Sequence, residues 1–172
     1  MMTLITTNLK TNVYIQSEAE FCQAKMNGFW ERVGSWLTRQ RLGLRSFSEV
    51  TASAAPLPSR DLGLRDVPLA QLVGSVSRAQ NFTRHFRPRQ CDHNSKERWR
   101  TIYTLAVTGQ GFPPVSVFKV GQAYFVKDGH HRASVASYLG WETIQAEVIE
   151  LLPHELAAPE GSLAWAAGGC VC

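Results

Sequence analysis

The sequence predicts an α+β domain with an added amphipathic helix at its N-terminus. After residue 114, strand-type alternation, a tight turn, a helical run and a second alternating stretch follow one another, giving the order β-hairpin, helix, strand. A separate helical periodicity lies before residue 40. Hydrophobic residues form 44% of the 172 and charged residues 19%, which supports one packed core and argues against wholesale disorder.

The first element is expected over about residues 17–39. Ser17 and Glu20 have the spacing of a capping box. Cys22, Met26, Phe29, Trp30, Val33, Trp36 and Leu37 then recur on one helical face. Two tryptophans there require a large partner surface, either the main domain or a second copy in a homodimer. Residues 51–60 (TASAAPLPSR) read as a linker between this helical extension, residues 1–50, and a domain over 61–150. A short extended segment is expected at Leu64–Val67, closed by Pro68, with one helical turn over Leu69–Val73. From Gly74 to Gln90 no periodicity shows.

A second helix is expected from Lys96 to Val107, capped by Ser95, with Trp99, Ile102, Tyr103 and Ala106 on one face. Gly109, Gly111 and Pro113-Pro114 end it. Val115–Val120 and Ala123–Lys127 form the hairpin around Gly121-Gln122. A helix then opens at the Asp128–Arg132 junction and runs to Leu139, where Gly140 suits a left-handed cap. Thr143–Ile149 is the last strand, with Ile144, Ala146 and Val148 inward. Residues 151–172 read as a flexible tail.

Charge and cysteines narrow the function classes. Lys and Arg number 18 against 14 Asp and Glu, a net +4 that is too small for a chain coated for nucleic acid. No apolar run approaches the ~20 residues of a membrane helix, and residues 1–10 lack the features of a secretory signal. A cytoplasmic protein without membrane contact is expected. Cys22, Cys91, Cys170 and Cys172 form no Cys-x-x-Cys pair, and Cys91 with His85 and His93 matches no common zinc frame. They read as free thiols, and no metal site is expected.

The sharpest chemical signal is Asp128-Gly129-His130-His131-Arg132. A glycine between a strand end and a helix start lets a ligand approach the backbone. The first-turn amides, from about Gly129 to Ala133, then face it with the positive end of the helix dipole. The two histidines and Arg132 add donors suited to phosphate. A basic segment forms a second constellation. Between Arg78 and Arg100 lie seven cations, among them Arg78, Arg84 and Arg87, against Asp92 and Glu97, or 7 − 2 = +5. Phe82 and Phe86 interleave with them, as on surfaces that stack bases. Histidines with a pKa near ~6.5 would strengthen anion binding at mildly acid pH.

These residues carry a family resemblance. The stretch 117–150, VFKVGQAYFVKDGHHRASVASYLGWETIQAEVIE, resembles the core of the ParB/sulfiredoxin superfamily: a hairpin, a Gly-x-x-Arg turn, a helix ending in Leu-Gly, and a strand. Upstream, Val67-Pro68-Leu69 resembles the family's first strand, and Phe86-Arg87-Pro88 its basic loop. The likeness covers residues 61–150, about half the chain, and implies a phosphate-binding pocket in which Arg78, Arg84 or Arg87 face the amides at Gly129–Arg132. Sulfiredoxins carry their reactive cysteine where His130 stands, so sulfiredoxin activity is not expected. ParB partition proteins have Gly-Glu-Arg-Arg at the turn and bind CTP; here Gly129 and Arg132 match and two histidines intervene. Partition proteins also carry further DNA-binding and dimerising parts, and only 22 residues follow Glu150.

Free serine kinases of the superfamily carry Asp-Gly-x-His-Arg, which Asp128–Arg132 matches at every fixed position. Their resemblance implies ATP or ADP, Mg²⁺ and a carboxylate base. The loop Ser75–Arg87 lacks the glutamate those kinases use, which leaves Asp128 as the candidate catalytic base. A nuclease-like or DNA-binding role is the remaining class. The expectation is therefore a nucleotide- or phosphate-binding domain whose ligand is CTP or ATP.

Overall fold

The computed structural model describes residues 2–39, 43–51, 57–89 and 92–152, with side chains from residue 10 onward. Its centre is a six-stranded sheet. The strands are β1 (Arg45–Ser46), β2 (Ser59–Pro68), β3 (Leu72–Ser75), β4 (Val115–Val120), β5 (Ala123–Asp128) and β6 (Thr143–Leu151), in the spatial order β1-β3-β5-β4-β6-β2. The β4–β5 hairpin is antiparallel, as is the β2–β6 pair, while β1–β3, β3–β5 and β4–β6 are parallel. The predicted α+β class and the order hairpin, helix, strand are both present. Ile144, Ala146 and Val148 alternate inward along β6 as their spacing requires.

Among the described residues four α-helices accompany the sheet: α1 (Met2–Thr38), α2 (Phe47–Val50), α3 (His93–Val107) and α4 (His130–Tyr138). The main core lies around the sheet and α4, joining Val67, Val115, Val117, Val126, Ala133, Ala136 and Ile144 to Phe82 and Phe86 from the 76–89 segment. A second cluster of Phe21, Ala24, Trp99 and Val135 packs α1, α3 and α4 together. Trp99 is fully buried and donates its indole N–H to Ser134 Oγ at 3.1 Å, tying α3 to α4. Among the described residues no helix is long and apolar enough to cross a membrane.

Several expectations are corrected. α1 starts at Met2 rather than near Ser17, because residues 2–16 contain neither glycine nor proline to stop it. Ser17 is no cap: its hydroxyl donates to the Tyr14 carbonyl at 2.5 Å and accepts from Arg100 Nε at 3.1 Å. The buried face of α1 is Ser17, Phe21, Ala24 and Gly28, not the bulky face expected. Apart from Phe21 this face is small, which allows close approach; a Cβ on Gly28 would stand 3.1 Å from Arg87 Cβ.

The segment 43–51, assigned to a helical extension, contributes the edge strand β1 and places Phe47 5.3 Å from Phe118 on the sheet. Strand β2 is ten residues long rather than four, and it takes up Ser59 and Arg60 of the expected linker. Residues 52–56 lie outside the described residues. Strand β3 begins inside the expected helical turn and was invisible to periodicity because it is only four residues long. α3 is capped by Asp92, whose carboxylate accepts from Ser95 N at 2.6 Å and from Ser95 Oγ at 2.9 Å. β6 runs through Leu151, and the expected tail from residue 153 onward, with Cys170 and Cys172, lies outside the described residues, as does Cys91. Cys22 is a free, exposed thiol.

Candidate functional site

Strands β3 and β5 run parallel as neighbours, Ser75 beside Val126, and so end at the same edge of the sheet. Crevices outside the C-terminal ends of parallel strands are where open sheets hold ligands. At this edge β5 turns directly into α4 through Gly129, whose φ of +96° lies in the left-handed region. No side chain fits there: a Cβ would meet Val115 Cγ1 at 2.7 Å and Arg132 Nε at 2.9 Å. The first intrahelical bond runs from Ala133 N to Gly129 O, so the free amides are those of His130, His131 and Arg132. Ala133 drops out of the expected set.

A cavity of about 540 Å³ opens in front of this turn. Asp128, Gly129, His130, His131, Arg132 and Arg78 all line it. Arg84 and Arg87 do not. Arg84 lines a separate groove with His85 and Ser137, while Arg87 reaches back to Glu31 at 3.8 Å and lies 5.6 Å from the Tyr138 ring centre. In their place α3 supplies Arg98, Glu97, Thr101 and Ile102, β5 supplies Lys127, and Ser77 comes from the loop after β3. Glu97, Arg98 and Thr101 share the side of α3 opposite Trp99 and Tyr103, and Ile102 borders both that side and the core. That helical offset was the signal available in the sequence.

The two histidines occupy unlike settings. His130 is buried, stacked on Phe82 with ring centres 5.9 Å apart, and its Nε2 lies 2.6 Å from Ser75 Oγ. The same hydroxyl accepts from Arg78 N at 2.9 Å. His131 meets the Phe82 ring edge-on at 5.5 Å, and both its ring nitrogens are buried without a hydrogen-bond partner among the described residues. Burial, reinforced by Arg78, pushes both imidazoles down to about 4. They are neutral at mildly acid pH, contrary to expectation.

Arg132 is occupied by the fold. Its Nη1 donates to the carbonyls of Pro113 at 3.0 Å and Pro114 at 2.5 Å, and Nη2 is paired with the Asp128 carboxylate. Asp128 therefore makes no helix cap; it neutralises Arg132 while remaining exposed at the rim. Arg78 and Arg98 are exposed, and neither guanidinium has an ion pair or hydrogen bond among the described residues. Phe82 and Phe86, expected as base-stacking surfaces, are buried core residues instead. Among the described residues no cluster of His, Cys, Asp or Glu has metal-holding geometry.

No known protein family matches this sequence, and no curated protein matches it. Among solved structures, the crystal structure of sulfiredoxin from Arabidopsis thaliana is similar at a TM-score of 0.36 and 20% identity, covering 49% of this chain and 82% of that one. At that overlap the likeness carries no argument about chemistry, which rests on the geometry of this chain.

Proposed function

We propose that the cavity at the start of α4 binds a phosphate-bearing ligand, with a nucleoside triphosphate such as CTP or ATP as the best-fitting class. The observation that carries the reading is the pair of exposed guanidinium groups, Arg78 and Arg98, without a direct ion pair among the described residues, at a cavity that also receives the free amides of His130–Arg132. Phosphate oxygens accept from backbone amides at helix N-termini and from arginine together. Lys127 adds a third cation at the rim. Ile102 supplies apolar surface for a base or sugar. The volume of about 540 Å³ falls within the ~300–1,000 Å³ of small-molecule sites.

Calorimetric titration with CTP, ATP, ADP and GTP, with and without Mg²⁺, tests this on the wild type and on Arg98→Ala. Binding below millimolar in the wild type, weakened about tenfold in the variant, supports it. No binding of any nucleotide below about millimolar removes it.

A phosphotransferase is the second reading, favoured by one observation. Glu97, held by Tyr14 and Arg100, lines the cavity as a second carboxylate besides Asp128, in a protein whose 75–87 loop has none. Mg²⁺-dependent loss of ATP or ADP only when a small hydroxyl compound such as serine is added would separate a kinase from a binding switch. A DNA-binding role loses its stacking surface with the burial of Phe82 and Phe86, and would appear as salt-sensitive retention of a duplex.

A further inference from the structure

α1 carries two stripes on opposite sides. One, Ser17, Phe21, Ala24 and Gly28, is pressed onto the domain. The other runs Ile15, Ala19, Cys22, Met26, Phe29, Val33, Trp36, with steps of four and three residues in strict alternation across three heptads. That 3.5-residue average is the period that keeps a seam facing a second helix. The core does not use it. Ile15 is 64% exposed, Met26 56%, Phe29 51% and Trp36 79%, and the flanking Trp30 and Leu37 are 63% and 69% exposed.

We propose that this seam joins two copies of this chain as an antiparallel helix pair. A second copy is the occupant that a heptad seam selects, because the same stripe recurs on the partner at matching intervals. Orientation follows from side-chain volume. In a parallel pair each layer meets itself, stacking Trp36 against Trp36 and leaving Ala19 against Ala19. In the antiparallel pair Trp36 lies over Ala19, Phe29 over Met26 and Val33 over Cys22, so that the largest residue faces the smallest and the layers are more even than in the parallel pair. The area is sufficient. Phe and Trp side chains bury ~150–250 Å² each, and Phe29, Trp30 and Trp36 from both copies, discounted for present burial, give roughly 800 Å². Met26, Ile15, Val33 and Leu37 carry this to the ~1,200–2,000 Å² of stable interfaces.

Sedimentation of the full chain at micromolar concentration should show twice the mass of one chain. Phe29→Glu with Trp36→Glu, both exposed positions, should leave the circular dichroism unchanged and raise the dissociation constant about 100-fold or more by burying unpaired carboxylates. Orientation is read from full chains with Cys91, Cys170 and Cys172 replaced by Ser. One keeps Cys22; the other carries Cys22→Ser and Val33→Cys. The antiparallel pair cross-links only when the two are mixed and oxidised. A wild type that is monomeric, a dimer indifferent to the double substitution, or cross-linking of either chain alone each overturns the proposal. So does a monomer that uses the stripe to bind vesicles of anionic lipid.

Discussion

The hydroxyl of Ser75 lies 2.6 Å from Nε2 of His130 and joins the end of β3 to the first turn of α4. Ser75 has no solvent exposure, and it also accepts from the Arg78 amide. Ser75→Ala leaves the buried His130 ring and the Arg78 amide without their partner and is expected to cost about 1–3 kcal/mol in urea unfolding. A loss within experimental error would mean that the contact does not hold the loop to the helix.

The depressed histidines make stability depend on acid. Both imidazoles sit at about 4 in the folded chain against 6.5 when exposed, so the unfolded chain takes up protons first. Their contribution is complete above about pH 6.5 and declines as pH falls toward 4, by up to about 3 kcal/mol each. The ring protons should titrate near 4 by NMR, and the melting temperature should fall across that window. Midpoints near 6.5 would show the rings to be exposed.

Gly129→Ala places a methyl group 2.7 Å from Val115 Cγ1 at a φ of +96°. Strain of this kind costs about 1–3 kcal/mol. Thermal unfolding of the variant should show that loss, together with weaker nucleotide binding as the turn shifts. Wild-type stability would mean that the turn relaxes freely.

Arg132→Ala and Arg98→Ala should separate structure from binding. The first removes donors to the Pro113 and Pro114 carbonyls and strands Asp128, and should destabilise by about 1–3 kcal/mol. The second removes an exposed side chain with no partner among the described residues; its stability should stay within about 0.5 kcal/mol while affinity drops. Denaturation and calorimetry on both variants check the contrast. An Arg98→Ala protein that unfolds early, with binding intact, would reverse the assignment.

What the sequence made legible was whatever repeats locally. The β4–β5 hairpin, α4 with its Gly140 stop and the alternation of β6 all rest on short-range pattern, and they place the Gly129 turn correctly. β3 escaped because four residues hold too little period, and its Gly74 is set by Phe125, whose ring would lie 2.3 Å from a Cβ there. α1 misled because amphipathicity tells which face is apolar, not which neighbour it meets. Arg84 and Arg87 were brought to the turn by the family resemblance and line other surfaces; Arg98 and Lys127 entered through helix offset and strand register.

The pairing of β2 with β6 has a consequence for how the chain is made. Ser59 lies opposite Leu151 and Pro68 opposite Thr143, so the first long strand to leave the ribosome waits for the last. At ~5–20 residues per second the wait is roughly 5–15 s. During it β2 offers bare amides and carbonyls to any passing strand. Arg60, Asp61, Arg65 and Asp66 are spread along it and face solvent, and charges of both signs on an unpaired edge repel such intruders. Because β2 is also the outer strand of the finished sheet, the same charges guard the unfinished fold and the finished one alike.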